Sequence, residues 1–498
     1  AHELAHQWWG DLVTCKNWKH LWLNEGFATY FDDLQERHQL GENVFAYSQY
    51  GHQQVAINSD KRTGRKPIVS VDSPEPNLYG RGASVLHMLR YVLGDELFWK
   101  AINHYAHAYE FQSVETNDFK LAVEQSTGQN LYWFFDEWLY KAGYPVFDVA
   151  SRWDEDAQTL TLSVKQVQKR DSLTGLFRMP VDIEVTTESG AETHRVLLAN
   201  QEEEFVFPLN SKPVLVNFDK GNWILKEAHF PKTREELVRQ LQPNQDIAAR
   251  LTALDQLQLD SLWNSDGGLF SIFSDVALSD SFWAVRAGAV NAVGKMDVAG
   301  VEDVLLEAFR DIDSRVRNAA VTNLGRFPTE RVKDLLRKAV DGDSSYVVNA
   351  SALWVLASVD SANALDLAAA HLGTPSFLDG ISRVAMSVLS SIDDQRSIPH
   401  LIEYSKIGHP AYTRFAALAG LRKYMRQDRE VQEYVLGLLD DPDKQVRIRA
   451  VQMLGSVGGE SITQALRNRQ AQETDHEVLD EIENQLKGEK SATEAGGR

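Results

Sequence analysis

A single cysteine, Cys15, stands in 498 residues and has nothing to pair with. That excludes an intrachain disulfide and any zinc cluster built from thiolates, and it leaves the compartment open. Long apolar runs are missing as well. No stretch approaches the roughly 20 consecutive apolar residues that a spanning helix needs, so no transmembrane segment is expected. Positive charge is scarce: 51 basic against 71 acidic residues leave a net charge of −20. Nucleic acid and anionic membrane would both repel such a chain, and neither is expected as a partner. The front lacks an initiating methionine and the basic, apolar and small-residue pattern of a secretory leader. It also lacks a cap residue ahead of the first helical pattern. A ligand-bearing first turn at a true terminus would fray. The expectation is a piece that starts inside a helix with its natural N-terminal part absent. Cytoplasmic and periplasmic or secreted locations stay undecided.

What is present is rich enough for several cores, with 43% apolar residues. The most informative stretch is the first, His2-Glu3-Leu4-Ala5-His6, followed by Trp22-Leu23-Asn24-Glu25-Gly26-Phe27-Ala28. Positions i and i+4 share a helix face, so His2 and His6 can offer two imidazole nitrogens to one metal ion. Glu3 sits one residue round, where a carboxylate reaches a metal-bound water without ligating the metal. A hydrolytic Zn²⁺ wants three protein ligands and an open position. Eighteen residues separate His6 from Glu25, enough to turn and lay a second helix alongside. The pattern is a zinc peptidase site: His2, His6 and Glu25 as ligands, Glu3 as base, one Zn²⁺ per chain. Zinc lowers the pKa of its water and polarises the scissile carbonyl, and Glu3 moves the proton. A lone His-Glu-x-x-His is a weak signal, and the downstream Glu25 makes it specific.

Along the chain, residues 1–12 and 22–37 read as the two motif helices. Residues 41–76 look irregular, with breakers at Lys66-Pro67 and Ser73-Pro74-Glu75-Pro76. Helical patterns return over 82–93, around Phe98 to Ala106, over 119–125 with Asn117-Asp118 as cap, and over 131–141. From Val146 the period changes to two. Leu160, Leu162 and Val164, then Val181, Ile183 and Val185, alternate with polar neighbours, which predicts a small β-sandwich without catalytic residues. From about residue 232 the chain is helical again and repeats itself. Ala284-Val285-Arg286, Arg315-Val316-Arg317, Tyr346-Val347-Val348 and Gln445-Val446-Arg447 open similar segments a little over thirty residues apart, as do weaker copies at Arg250, Arg383 and Arg414. This resembles HEAT-type helical hairpins stacked into a solenoid. Arg286, Arg317 and Arg447 recur at one repeat position, which suggests structural ladders to Asp.

The two motifs together, His-Glu-Leu-Ala-His-Gln-Trp-Trp-Gly and Trp-Leu-Asn-Glu-Gly-Phe-Ala, resemble the M1 family of zinc aminopeptidases. The resemblance implies His2, His6 and Glu25 as zinc ligands and Glu3 as general base. The family's oxyanion tyrosine stands in a Tyr-x-Lys-Gly-Ala context. Tyr79-Gly80-Arg81-Gly82-Ala83 is similar, with Gly80 where an acidic residue is usual and Arg81 for Lys. The role therefore falls on Tyr79. The implied architecture is multidomain and mainly α: the helical half of a thermolysin-like catalytic domain (1–146), a small β-sandwich (147–228), an α-solenoid of HEAT-like repeats (229–487), and a disordered tail (488–498). The implied activity is removal of N-terminal residues from peptides with a free N-terminus. The family's upstream Gly-x-Met-Glu-Asn motif, which binds the substrate amine, is not in this sequence. The expectation is an aminopeptidase whose fragment alone is weak or inactive. A zinc endopeptidase, or a scaffold binding partners through its repeats, is the alternative. Side-chain preference and oligomeric state are not readable.

Other residues have plainer readings. Asp11, Asn24 and Asp32 are candidates for orienting the imidazoles, and solvated or capping roles suit them as well. His20, His38, His52, His87, His104 and His107 lack ligand spacing, apart from the His104/His107 pair on one helix, and read as structural. Trp8 and Trp9 read as packing for the motif helix.

Overall fold

The structure is a computed structural model that describes residues 1–70 and 78–495, with the side chains of residues 488–495 left aside. The loop expected at Ser73 to Pro76 lies outside the described residues. The chain divides into two compact units, residues 1–263 with 280–288, and residues 264–279 with 289–498. It is mainly helical, with small sheets and a C-terminal region of helical repeats. No helix among the described residues is long and apolar enough to cross a membrane.

The first unit opens with α1 (His2–Ala5), β1 (Val13–Cys15), α2 (Trp22–Leu40), α3 (Glu42–Thr63), α4 (Leu78–Leu93), α5 (Asp95–Ala108), β2 (Gln112–Val114), α6 (Thr116–Thr127) and α7 (Tyr132–Phe135), which runs into a π-helical turn Asp136–Tyr140. Strands β1 and β2 pair in parallel, Thr14 opposite Ser113. An aromatic core locks these helices: Phe27 meets Phe119 at 5.1 Å and Trp9 stacks on Tyr105 at 5.9 Å. Such pairs add about 0.5–1.5 kcal/mol each beyond the area they bury.

Three expectations need correction here. The motif helix is shorter than residues 1–12. After Ala5 the chain turns through wider bonds, Leu12 N to Gln7 O and Val13 N to Trp8 O, because it must swing into β1. Residues 42–63, read as irregular, form α3. Its buried stripe is Phe45, Gln49, Gln53, Ala56, Ile57 and Asp60, helical in spacing but half polar, so an apolar period was invisible. The cap of α6 is Glu115, which makes a reciprocal box with Asp118, instead of Asn117-Asp118.

The alternating region folds as two sheets: β3 (Val146–Asp154), β4 (Thr159–Gln166), β7 (Glu202–Pro208) and β9 (Glu227–His229) in the order β7-β4-β3-β9, and β5 (Met179–Thr187), β6 (Gly190–Leu198) and β8 (Leu215–Phe218) in the order β6-β5-β8. Val149 lies opposite Val164, and Val185 opposite Val216, so the predicted inward residues do face in. Period-two patterning sets this register, since a one-residue slip would turn the apolar set to water.

In the second unit the helices pair in chain order, Val301–Ala308 with Ser314–Leu324, Glu330–Gly342 with Tyr346–Val359, and Arg429–Gly437 with Lys444–Gly455. The repeated motif opens the second helix of each pair. Arg317 is tied to an aspartate as predicted, Asp343 at 2.7 Å, whereas Arg447 pairs with a glutamate, Glu473 at 2.8 Å. Arg317 and Arg447 also donate to carbonyls of the preceding turn, Asp311 and Asp441, which closes each hairpin. The last helix, His476–Ala495, carries helical backbone into the polar stretch from 488 that was expected to be disordered. Glu, Lys and Ala in that stretch are good helix formers.

Candidate metal centre

Two short events in the backbone bring the motif residues together. In the first turn of the chain, His6 N bonds His2 O at 3.3 Å, so the i, i+4 relation holds although the regular helix ends at Ala5. The second is the start of α2. Asn17 caps a tight turn, Trp18–His20, by accepting from Lys19 N at 3.1 Å, and α2 begins directly after it. His20 and Trp22 both meet the Thr116 hydroxyl at 2.9 Å, which pins that turn to the start of α6. Asn24 accepts from Cys15 N at 3.1 Å, so the first turn of α2 is tied to the edge of β1. Glu25 follows, facing back to α1.

The result is one cluster. Glu25 Oε2 lies 3.3 Å from His2 Nε2 and 3.4 Å from His6 Nε2. The three ligand atoms fall within 4.8 Å of one another, and no other such group of three exists among the described residues. The donor chemistry fits a metal ion. His6 Nδ1 lies 3.0 Å from Trp9 O, so Nδ1 carries the proton and Nε2 is left with its lone pair. That lone pair and the Glu25 carboxylate oxygen point at the same space. Two acceptors so close repel each other unless a cation or a proton lies between them. Two imidazoles and one carboxylate, all half-buried, suit a tetrahedral Zn²⁺ with an open position.

Glu3 is exposed on α1 and makes no hydrogen bond or ion pair among the described residues. Tyr79 is 46% exposed, with its ring 6.1 Å from that of His2. Partial burial, then the Glu25 charge and a hydrogen bond to it, then Glu3, push its phenol above the usual range. The phenol therefore stays protonated and able to donate near neutral pH. Tyr79 is the one exposed residue of α4.

The residues held in reserve fall elsewhere. Asp11 accepts from Gln7 at 3.1 Å, and Asp32 lies 3.5 Å from the Ala1 nitrogen. Neither holds an imidazole. His87 is buried and stacked on Trp223 at 4.4 Å, and burial pushes its pKa down to about 3. His52 pairs with Asp33 at 3.0 Å, and His107 bonds Asn103 O at 2.9 Å. Trp9 is buried, while Trp8 is 54% exposed, so only the first packs as expected. Two contributors escaped the sequence reading. One is the pair Gly26 and Gly82, where α2 and α4 touch backbone to backbone. The other is Gly10, where a Cβ would lie 3.0 Å from His6 O and 3.4 Å from His6 Nδ1. The only signal for either is glycine inside or beside a helical pattern.

Comparisons with known proteins bear on both parts of the chain. Residues 1–138 match the peptidase family M1 domain, and residues 272–357 and 409–487 match HEAT repeats. Tricorn protease-interacting factor F2 of Thermoplasma volcanium is 33% identical over 204 residues, which cover 38% of this chain and 25% of that protein. Probable aminopeptidase 1 of Saccharolobus solfataricus is 29% identical over 230 residues, 44% of this chain and 28% of its own. Puromycin-sensitive aminopeptidase of Caenorhabditis elegans is 26% identical over 302 residues, covering 56% and 31%. Among solved structures, Legionella pneumophila aminopeptidase A in complex with aspartic acid superposes with a TM-score of 0.62 at 14% identity, covering 98% of this chain and 65% of that one. That likeness concerns the fold. Residues 1–138 therefore carry a peptidase family M1 domain. Its alignments span only 25% to 31% of the length of these relatives.

Proposed function

We propose that this chain holds the zinc-binding part of an aminopeptidase, an enzyme that removes N-terminal residues from peptides with a free α-amine. The observation that carries the reading is the convergence of His2, His6 and Glu25 on one point, with the exposed Glu3 next in sequence to the first of them. Relatives named as aminopeptidases support the exopeptidase branch. His2, His6 and Glu25 would hold Zn²⁺. The ion supplies Lewis acidity toward the scissile carbonyl and makes water a better nucleophile near neutral pH. Glu3 takes the proton from the attacking water and passes it to the leaving amine nitrogen as the C–N bond breaks. Tyr79 donates its phenol hydrogen to the carbonyl oxygen as negative charge grows on it. Loss of one such donor typically costs ~10²–10³ in rate. Thr29, which donates to Glu25 O at 2.7 Å, and Asn24 keep the first turn of α2 in place.

The test has two arms. Metal analysis of the purified chain is expected to find one zinc per chain, lost in His6→Ala. Activity of the entire protein on matched peptides with free and acetylated N-termini is expected to favour the free form strongly. Equal cleavage of blocked peptides would make it an endopeptidase. A chain that takes up no zinc would leave only the scaffold reading.

A further inference from the structure

Tyr79 reaches the ligand cluster from a helix that otherwise has no exposed residue, and the start of that helix is seated unusually deep. Arg81, 2% exposed, donates to Asp60 of α3 at 3.0 Å and to Gly143 O at 2.6 Å. On either side of it stands a glycine. A Cβ on Gly82 would lie 2.8 Å from the Gly26 Cα of α2, and a Cβ on Gly26 would lie 2.9 Å from the Gly82 Cα. A Cβ on Gly80 would lie 2.9 Å from His52 Nδ1 of α3. Neither contact leaves room for the smallest side chain. Gly26 is the neighbour of Glu25, so the α2–α4 crossing falls beside the metal ligand.

We infer that Gly82, against Gly26, and Gly80, against His52, are positioning residues that set the distance from the Tyr79 phenol to the His2, His6 and Glu25 cluster. Neither glycine touches substrate. Each lets the first turn of α4 sit closer to its neighbour than any other residue allows, and Tyr79 moves rigidly with that turn. The two contacts differ in how they yield. Gly82 meets backbone, which cannot rotate away, whereas Gly80 meets a side chain that can be removed. When a methyl is added at residue 82, α4 is the partner that shifts. The start of α2 is tied by Asn24 to Cys15 N and by Trp22 to Thr116. A displacement near 1 Å is enough to cost on the order of a hundredfold when a reacting group is misplaced.

The inference rests on the zinc peptidase reading, and its test separates the two. The probe is a phosphinic dipeptide with a free amine, whose tetrahedral anionic phosphorus centre resembles the species Tyr79 would stabilise. Binding to the zinc-loaded entire protein is measured by calorimetry, with zinc affinity measured separately. Gly82→Ala is expected to bind the probe on the order of tenfold to a hundredfold more weakly with zinc affinity unchanged. In a Tyr79→Phe background it is expected to add nothing. Gly80→Ala is expected to give a smaller loss that His52→Ala restores, and this pair decides the matter if Gly82→Ala fails to fold. Undiminished probe binding in both glycine variants, or a loss that adds in full to Tyr79→Phe, would overturn the inference. An unaltered chain that binds neither zinc nor probe, or a Tyr79→Phe chain that binds the probe undiminished, would overturn the underlying reading instead.

Discussion

Charged groups are handled in different ways at the repeat pairs and at the His2, His6 and Glu25 cluster. In the repeat region the buried charges are matched. Arg414, 5% exposed, is paired with Asp441, 6% exposed, and donates to Ser405 O at 2.8 Å. Arg447 and Arg469 share Glu473, which also accepts from the Thr474 and Asp475 amides. Hydrogen bonds from both arginines and those amides outweigh burial and hold the Glu473 carboxyl down at about 2. In the first unit, two imidazoles and a carboxylate bring their ligand atoms within 4.8 Å of one another, and Glu3 is exposed on α1. Matched charges hold a shape. Convergent ligand atoms of this kind form a candidate binding site, and the difference helps to tell structure from function.

The comparison can be broken most sharply at the cluster. His6→Ala or Glu25→Ala removes one of three candidate ligands and is expected to abolish stoichiometric zinc binding, read by metal analysis after dialysis, with the helical circular dichroism retained. Glu3→Gln tests whether the free carboxylate works as a base. It should keep its zinc and lower turnover by the entire protein by ~10²–10⁴-fold; a variant with normal turnover would remove Glu3 from the mechanism. Arg414→Met probes the matched side. It strands Asp441 in the interior and is expected to destabilise the repeat region by ~3–5 kcal/mol in urea unfolding. Zinc stoichiometry should not change, because the loss is one of shape.

The smallest effect is in pH, and it carries opposite signs in the two units. Glu473, held at about 2 against an ordinary 4.5, contributes stability that is complete above pH 4.5 and lost as pH falls toward 2. Glu137 is the converse. Burial pushes its carboxyl up to about 7, although it accepts from Arg178 N at 2.9 Å. Its protonated form is favoured by folding, so its contribution is complete below pH 4.5 and lost as pH rises through about 7. Glu473→Gln should flatten the acid limb of a thermal melting profile, and Glu137→Gln the limb between pH 4.5 and 7. Profiles that kept their slopes would show these carboxyls to be unperturbed.

The way residues are matched also explains which parts could be read in advance. The repeat arginines and the sandwich strands announce themselves by periodicity, since each copy solves the same local burial problem. Helix α3 did not, because Gln49, Gln53 and Asp60 replace apolar residues on its buried face. Gln49 donates to Asp33 at 2.7 Å and Asp60 receives Arg81, and such pairings have no local signature. The end of α1 is hidden from the sequence for a related reason. Nothing between Ala5 and Leu12 forbids helix, and the chain leaves it only because β1 must reach β2, nearly a hundred residues later.

By itself the sequence brought a candidate ligand set into view. His2 and His6 share a face through helical geometry, and Glu25 follows at a distance that permits a second helix. The alternating and repeating segments likewise announce their own elements, because both signals are local in sequence. Only the tertiary structure decided how close those residues come: His6 turned by the Trp9 carbonyl, α2 tied to β1 by Asn24, and α4 seated on Gly26 through Gly82. Periodicity reports which face of an element is buried. The depth at which two elements meet depends on both partners at once, and no single stretch of sequence contains both.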